Sequence, residues 1–190
     1  MPDSAAHWLL AFSALATISF FCIGLTSYFE RRTDRPWWVR GIHDTGMLLS
    51  LLQLASIVLL EPRSDLFAGI GVLMYTGAVL LFLSAIETAS RARVRMERSF
   101  IDHPLPEKLL TDGPYRWVRH PFYLGYIIGA AAPVVAIDHP VMVVIAGAMI
   151  AITLTAAFRE ERVWLSGPRA QAYREYSSRT GMFVPKFWRT

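Results

Sequence analysis

The placement of arginine and lysine between five apolar stretches constrains this chain more than any other feature of its sequence. The stretches run from about Trp8 to Phe29, Met47 to Leu60, Leu66 to Ile86, Phe122 to Ile137 and Val141 to Phe158, and none holds a charged side chain. Crossing roughly 30 Å of hydrocarbon takes about 20 helical residues, fewer where a helix packs against its neighbours. The second stretch is short unless its helix begins near Ile42 and takes His43 and Asp44 with it. Of the 19 basic residues, 18 fall in the first loop, the third loop and the C-terminal tail, and the remaining one, Arg63, falls in the second loop. Basic loops stay in the cytoplasm. The alternation therefore predicts an all-α, multi-pass membrane protein of about five transmembrane helices, with its N-terminus outside and its C-terminus inside.

Composition agrees. Hydrophobic residues make up 54% of the chain and charged residues 18%, where a soluble domain carries about 25% charge. Disordered, fibrous and nucleic-acid-binding classes drop out on that ground. The first stretch is too long for a signal-peptide core and lacks a basic leader, so it reads as a retained helix. The single cysteine, Cys22, lies inside an apolar run and reads as a free structural thiol. Only Asp138, His139 and Pro140 separate the last two stretches, which predicts an antiparallel helical hairpin. One membrane domain results, with three helices in residues 1–86 and a more polar half in residues 87–190.

Two polar constellations stand out in that second half. The first is Gly113-Pro114-Tyr115-Arg116-Trp117-Val118-Arg119-His120-Pro121-Phe122-Tyr123-Leu124-Gly125. Pro121 suits the first turn of a helix, where a missing N–H costs nothing. The unpaired N–H groups beside Arg116 and Arg119 then suit a carboxylate or phosphate. The same string also reads as an interfacial belt of snorkelling arginines and headgroup-level aromatics, with His120 as a simple cap. The second constellation is Arg159-Glu160-Glu161-Arg162 followed by Tyr173 and Tyr176. Acidic residues at the end of a helix oppose its dipole, so the pair is either a solvated charge run or a site with something bound to it. The two tyrosines, three apart, share a helical face. The five histidines have no metal-ligand spacing, and no glycine-rich phosphate loop occurs.

The order Gly113-Pro114-Tyr115, Arg119-His120-Pro121-x-Tyr123-x-Gly125, hairpin, Glu160-Glu161 and Tyr173-x-x-Tyr176 resembles the isoprenylcysteine carboxyl methyltransferase superfamily, over roughly residues 108–186. That superfamily includes phospholipid N-methyltransferases and bacterial enzymes that methylate small thiols. The resemblance implies an integral membrane methyltransferase using S-adenosylmethionine, without a metal, on a lipophilic small molecule entering from the surrounding membrane lipids. It implies a cytoplasmic cofactor site built from the loop, hairpin and tail. His120, Pro121, Tyr123, Gly125, Glu160, Glu161, Tyr115, Tyr173 and Tyr176 would bind the cofactor, and Arg119 and Glu161 would act on the reacting groups. Isoprenylcysteine carboxyl O-methylation is the nearest activity, with phospholipid N-methylation and small-thiol S-methylation as alternatives. A membrane reductase using NADPH, or a non-catalytic scaffold, is a more distant reading.

The orientation is testable on its own. Cysteines introduced singly at Asp3 and Asp138 are expected to label from outside the cell and one at Ser178 is not. External labelling at Ser178 would reverse the topology.

Overall fold

The computed structural model describes residues 4–27, 29–30, 37–92, 96–97 and 108–186. Asp3, the loop residues Arg31, Arg32, Arg35, Arg93, Arg95 and Arg98, and Arg189 lie outside the described residues. The helices are α1 (Ala5–Ser27), α2 (Trp37–Leu59), α3 (Asp65–Arg91), α4 (Pro121–Ala136), α5 (Pro140–Ser166) and α6 (Ala170–Arg179). A two-residue parallel pairing of Phe29–Glu30 with Met96–Glu97 leaves the class all-α. Over Ala5–Ile23, α1 is long and apolar enough to cross a membrane, as are α3 and α5, while α2 and α4 contribute shorter apolar segments.

The bundle is organised around α3, which packs most extensively against α4 and α1. Its buried positions are Ala68, Gly71, Tyr75, Ala78, Phe82, Ala85 and Ala89, and those of α4 include Phe122, Gly125, Gly129, Ala132 and Ala136. Both series step by three and four residues, the period of a packed helix seam. Most of these side chains are small because lipid tails are as apolar as leucine. Helices in lipid associate through close backbone approach and packing rather than through escape from water. A Cβ added to Gly71 would lie 2.7 Å from Leu10 Cδ1 and 3.1 Å from Ala136 Cβ, so α1, α3 and α4 meet here with no spare room. The opposite faces present Leu66, Leu73 and Leu80 outward on α3, with Phe12 on α1 and Val144 on α5.

Pro133 sits inside α4 and cannot donate to the carbonyl four residues back. Gln53 of α2, itself buried, donates from Nε2 to the neighbouring Ala130 carbonyl at 3.1 Å. In hydrocarbon a side-chain donor at such a turn supplements the backbone bonding that the proline weakens. At the other end of α4, Ile137–His139 turns directly into α5, confirming the hairpin. His139 Nδ1 caps that helix by accepting from the Val141 N–H at 3.2 Å.

Gly71→Val is expected to lower the stability of the detergent-solubilised protein by about 1–3 kcal/mol through overpacking. Gly77→Ala, where an added Cβ meets nothing within 4 Å, is expected to hold or raise the thermal midpoint through better helix propensity. Equal midpoints for the two variants would show that the seam is loose.

Candidate active site

The site begins at Gly113, whose φ of +56° suits glycine and whose Cβ would collide with the Thr88 hydroxyl. The 3-10 turn Gly113–Arg116 lies against the end of α3. There Tyr115 and Leu110 bury beside Phe82, Ala85, Ala89 and Phe122. Val118 then pairs with Gly181 of the tail in a parallel bridge. Arg119 N–H donates to the Gly181 carbonyl at 2.9 Å and His120 N–H to that of Met182 at 3.3 Å. Gly181 is required by space, because a Cβ there would run into the Val184 carbonyl. Pro121 takes the first position of α4, fully buried, with His120 as N-cap. The backbone of Arg119 and His120 is thus set by the tail on one side and by α4 on the other.

Their side chains converge on α5. Arg119 Nε donates to Glu161 Oε1 at 2.7 Å, and Nη1 donates to the carbonyls of Thr180 at 2.5 Å and Ser177 at 3.4 Å. His120 Nε2 lies 3.2 Å from the same Glu161 oxygen, and Nδ1 lies 3.8 Å from Glu160 Oε2. The side chains of Arg119 and Glu161 are 10% and 16% exposed, that of Glu160 42%. Glu161 is therefore the internal partner, and Glu160 is the carboxylate left available. Burial disfavours the Arg119 cation, but the hydrogen bond and charge of Glu161 outweigh it and raise its pKa further.

Aromatic rings surround this charge cluster. The His120 ring stacks on Tyr123 at 5.4 Å and lies 5.9 Å from Phe183, while the Tyr123 hydroxyl faces Glu160. Trp164 of α5 stacks on Tyr173 of α6 at 5.4 Å, and Tyr173 meets Tyr176 edge to face. The Tyr176 hydroxyl donates to the Tyr115 carbonyl at 2.7 Å, joining α6 to the 3-10 turn. The Tyr173 hydroxyl is buried beside Glu161 and Arg119, and it makes no hydrogen bond of full geometry among the described residues. Burial, and then the charge of Glu161, raise its pKa, so it stands as a neutral O–H donor. A buried donor left unmet costs about 1–3 kcal/mol unless something binds it.

Nine of the ten residues singled out in the sequence meet here. Gly125 instead serves the helix seam, where its Cβ would lie 3.3 Å from the Ala78 carbonyl of α3. Tyr115 contributes its backbone carbonyl and a buried ring. The guanidinium fork of Arg119, expected to receive a ligand, is spent on Glu161 and the end of α6. The acidic pair does not terminate its helix, since α5 continues to Ser166, and its reason is Arg119 and His120 rather than the helix dipole. Trp164, Thr180, Gly181 and Phe183 were not singled out. A glycine directly after an amphipathic run, as at Gly181, was the available signal for that chain return.

An all-α membrane bundle with a charged, aromatic-lined site at one end of its hairpin defines the class, and the chain belongs to the phospholipid methyltransferase family, whose model matches residues 67–167, more than half of the chain. It is a membrane methyltransferase. It is 27% identical over 143 residues to protein-S-isoprenylcysteine O-methyltransferase A of Arabidopsis thaliana, covering 74% of this chain and 72% of the relative. It is 28% identical to a methanethiol S-methyltransferase of Pseudomonas sp. (strain GM41(2012)), covering 94% of this chain and 75% of that one. No solved structure matches.

Arg119→Lys keeps the charge but not the planar fork that reaches Glu161 and two carbonyls at once. Losing one charge-assisted hydrogen bond is worth about 1.5–3 kcal/mol, or roughly 10- to 100-fold in an opening equilibrium. Amide exchange at Arg119, His120 and Thr180 is expected to speed up by that factor, with α3 unchanged. Unaltered exchange would mean that Arg119 does not hold the tail.

Proposed function

We propose that the chain transfers a methyl group from S-adenosylmethionine to a lipophilic acceptor drawn from the bilayer, at the cytoplasmic face of the membrane. The observation that carries this reading is the unmet Tyr173 hydroxyl beside a half-exposed Glu160 and a His120–Tyr123 stack. Glu160 suits an ammonium or a ribose hydroxyl, Tyr173 suits an acceptor oxygen, and the aromatic faces favour a sulfonium through cation–π attraction. Bound there, S-adenosylmethionine supplies an electrophilic methyl group. The chain's own residues orient the partners, exclude water with Trp164, Tyr173 and Tyr176, and take up charge, which is most of what in-line displacement needs. A thiol acceptor would give its proton to Glu160 and then to water, whereas a carboxylate acceptor has none to give.

The cytoplasmic placement rests on the positive-inside distribution of arginine and lysine. For the acceptor, the motif order favours carboxyl O-methylation of an isoprenylcysteine, as the name of the Arabidopsis relative does. Small-thiol S-methylation is a second reading, favoured by the span of the methanethiol S-methyltransferase match over nearly the whole chain.

Glu160→Gln is expected to weaken S-adenosylmethionine binding by about 10- to 100-fold, the worth of one charge-assisted hydrogen bond, while leaving amide exchange in the tail unchanged. Glu161→Gln is expected to loosen the tail as well. Calorimetry on the detergent-purified protein decides it. Binding of NADPH in place of S-adenosylmethionine would replace this reading with a reductase, and binding of neither would favour a scaffold.

A further inference from the structure

The middle of the membrane half holds a polar pair that neither the helix seam nor the methyl-transfer site uses. A partly open cavity of about 140 Å³ lies between α1, α2, α4 and α5, with Tyr75 of α3 behind it. Most of its wall is apolar, with Ile18 and Phe21 from α1, Met47 from α2 and Met149 and Ile152 from α5. None of the described lining residues carries a charge. Tyr75 and Gln53 line it as well, and these two polar residues are only 3% and 4% exposed.

The hydroxyl protons of the other polar wall residues are spent on backbone. Thr17 donates to the Ser13 carbonyl, Ser50 to that of Gly46 and Thr153 to that of Met149. Gln53 gives one N–H to Ala130, but its Oε1 accepts nothing among the described residues. The Tyr75 hydroxyl makes no hydrogen bond among them either. Both atoms lie open to the cavity rather than sealed in protein. A donor and an acceptor thus line one space without meeting each other, and leaving either unpaired in an apolar interior is unfavourable. Packing alone does not account for the tyrosine. Among Leu10, Ala14, Ile57 and Ala132 a phenylalanine would fill the same place with no hydroxyl to strand.

We infer that the cavity is a recognition site for a neutral lipophile bearing a free hydroxyl, such as a phenol or a lipid alcohol. Its O–H donates to Gln53 Oε1, and its oxygen accepts from the Tyr75 hydroxyl. The apolar wall takes the adjoining hydrocarbon, and the open side leaves room for a longer chain. An anion is disfavoured because no charge in the described wall would meet it. A plain hydrocarbon fits but leaves both polar groups unpaired. The recognised hydroxyl is not the atom that is methylated. Gln53 holds the Ala130 carbonyl, ten residues along α4 from His120, which is about 15 Å at the usual 1.5 Å rise. The site therefore stands apart from the choice of methyl acceptor.

Two matched probes test it. Tritiated 4-octylphenol and octylbenzene, which differ by one hydroxyl, are bound at equilibrium to the full-length protein in dodecyl maltoside, with no methyl donor present. Each probe is compared between proteins in the same detergent, so its partition into micelles cancels. Tyr75→Phe and Gln53→Met are each expected to weaken octylphenol binding about 3- to 10-fold, the worth of one neutral hydrogen bond, and to leave octylbenzene within about twofold. Ser50→Phe, which fills the space from α2, is expected to weaken both probes by about 10-fold or more. Thermal midpoints serve as the folding control. Tyr75→Phe removes a single oxygen, so it decides the matter even where Gln53→Met disturbs α4 or Ser50→Phe fails to fold. Equal loss of both probes in Tyr75→Phe would assign the residue to packing and overturn the inference. Octylphenol binding unchanged in Tyr75→Phe would leave the polar pair to water alone, and overturns it too. So does binding unchanged in a folded Ser50→Phe, or no saturable octylphenol binding to the unaltered protein. Because no methyl donor is present, none of these results bears on the methyl-transfer reading.

Discussion

The ion pair between Arg119 and Glu161 is the interaction on which the polar half of this protein depends. It joins three segments that are distant in sequence: the residue just ahead of α4, the C-terminal part of α5 and the carbonyl end of α6. A charge pair this buried is held at a cost, because each ion gives up its water, and removing one partner strands the other. Here the stranded group would be Glu161, with His120 and the Tyr173 hydroxyl beside it, or Arg119, facing two carbonyls. Neither half is dispensable. The polarity of the site is thus also its fastening, and the tail that covers it is fixed by the charges it covers.

The membrane half is held by a different kind of force. Between α3 and α4 runs a repeat of glycine and alanine that lets two backbones approach. In lipid this contact must come from packing, since the outward leucines lose nothing by staying where they are. Between α2 and α4 Gln53 adds a polar contact, beside the turn of α4 that Pro133 weakens. A bundle built this way is rigid where helices touch and leaves space where a small residue faces a larger gap, which is how an apolar cavity persists next to a tightly packed seam.

Much of this was legible before any coordinates. The helices and the hairpin followed from apolar length and alternating charge, and the candidate site residues were those that the family resemblance implied in two short strings around that hairpin. Helix ends were less legible. Apolarity stops at Phe158, yet α5 runs on to Ser166, because the carboxylate of Glu161 is met by Arg119 and costs the helix nothing. Likewise α2 begins at Trp37, ahead of the polar residues His43 and Asp44 that made its start ambiguous. The return of the tail at Gly181 to pair with Val118 was out of reach. It is a contact across some sixty residues: the glycine marks where α6 stops, but nothing local names Val118 as its partner. The same holds for the role of Arg119, because a sequence lists a donor but not the acceptors it will find.

One consequence follows from the unbroken length of α5. At 27 residues it extends about 40 Å at the usual rise of 1.5 Å, so a single rigid rod carries the cavity wall at Thr153 and the carboxylates at Glu160 and Glu161. Seven residues return a helix to nearly the same azimuth, at 3.6 residues per turn. The rod therefore behaves as an indexing shaft, in which the count of residues between wall and carboxylate sets both height and angle. Deleting one residue between them would swing Glu160 by roughly 100° around the axis. Substitutions along the lipid-facing side can drift freely, but the register of this segment cannot slip by a single position.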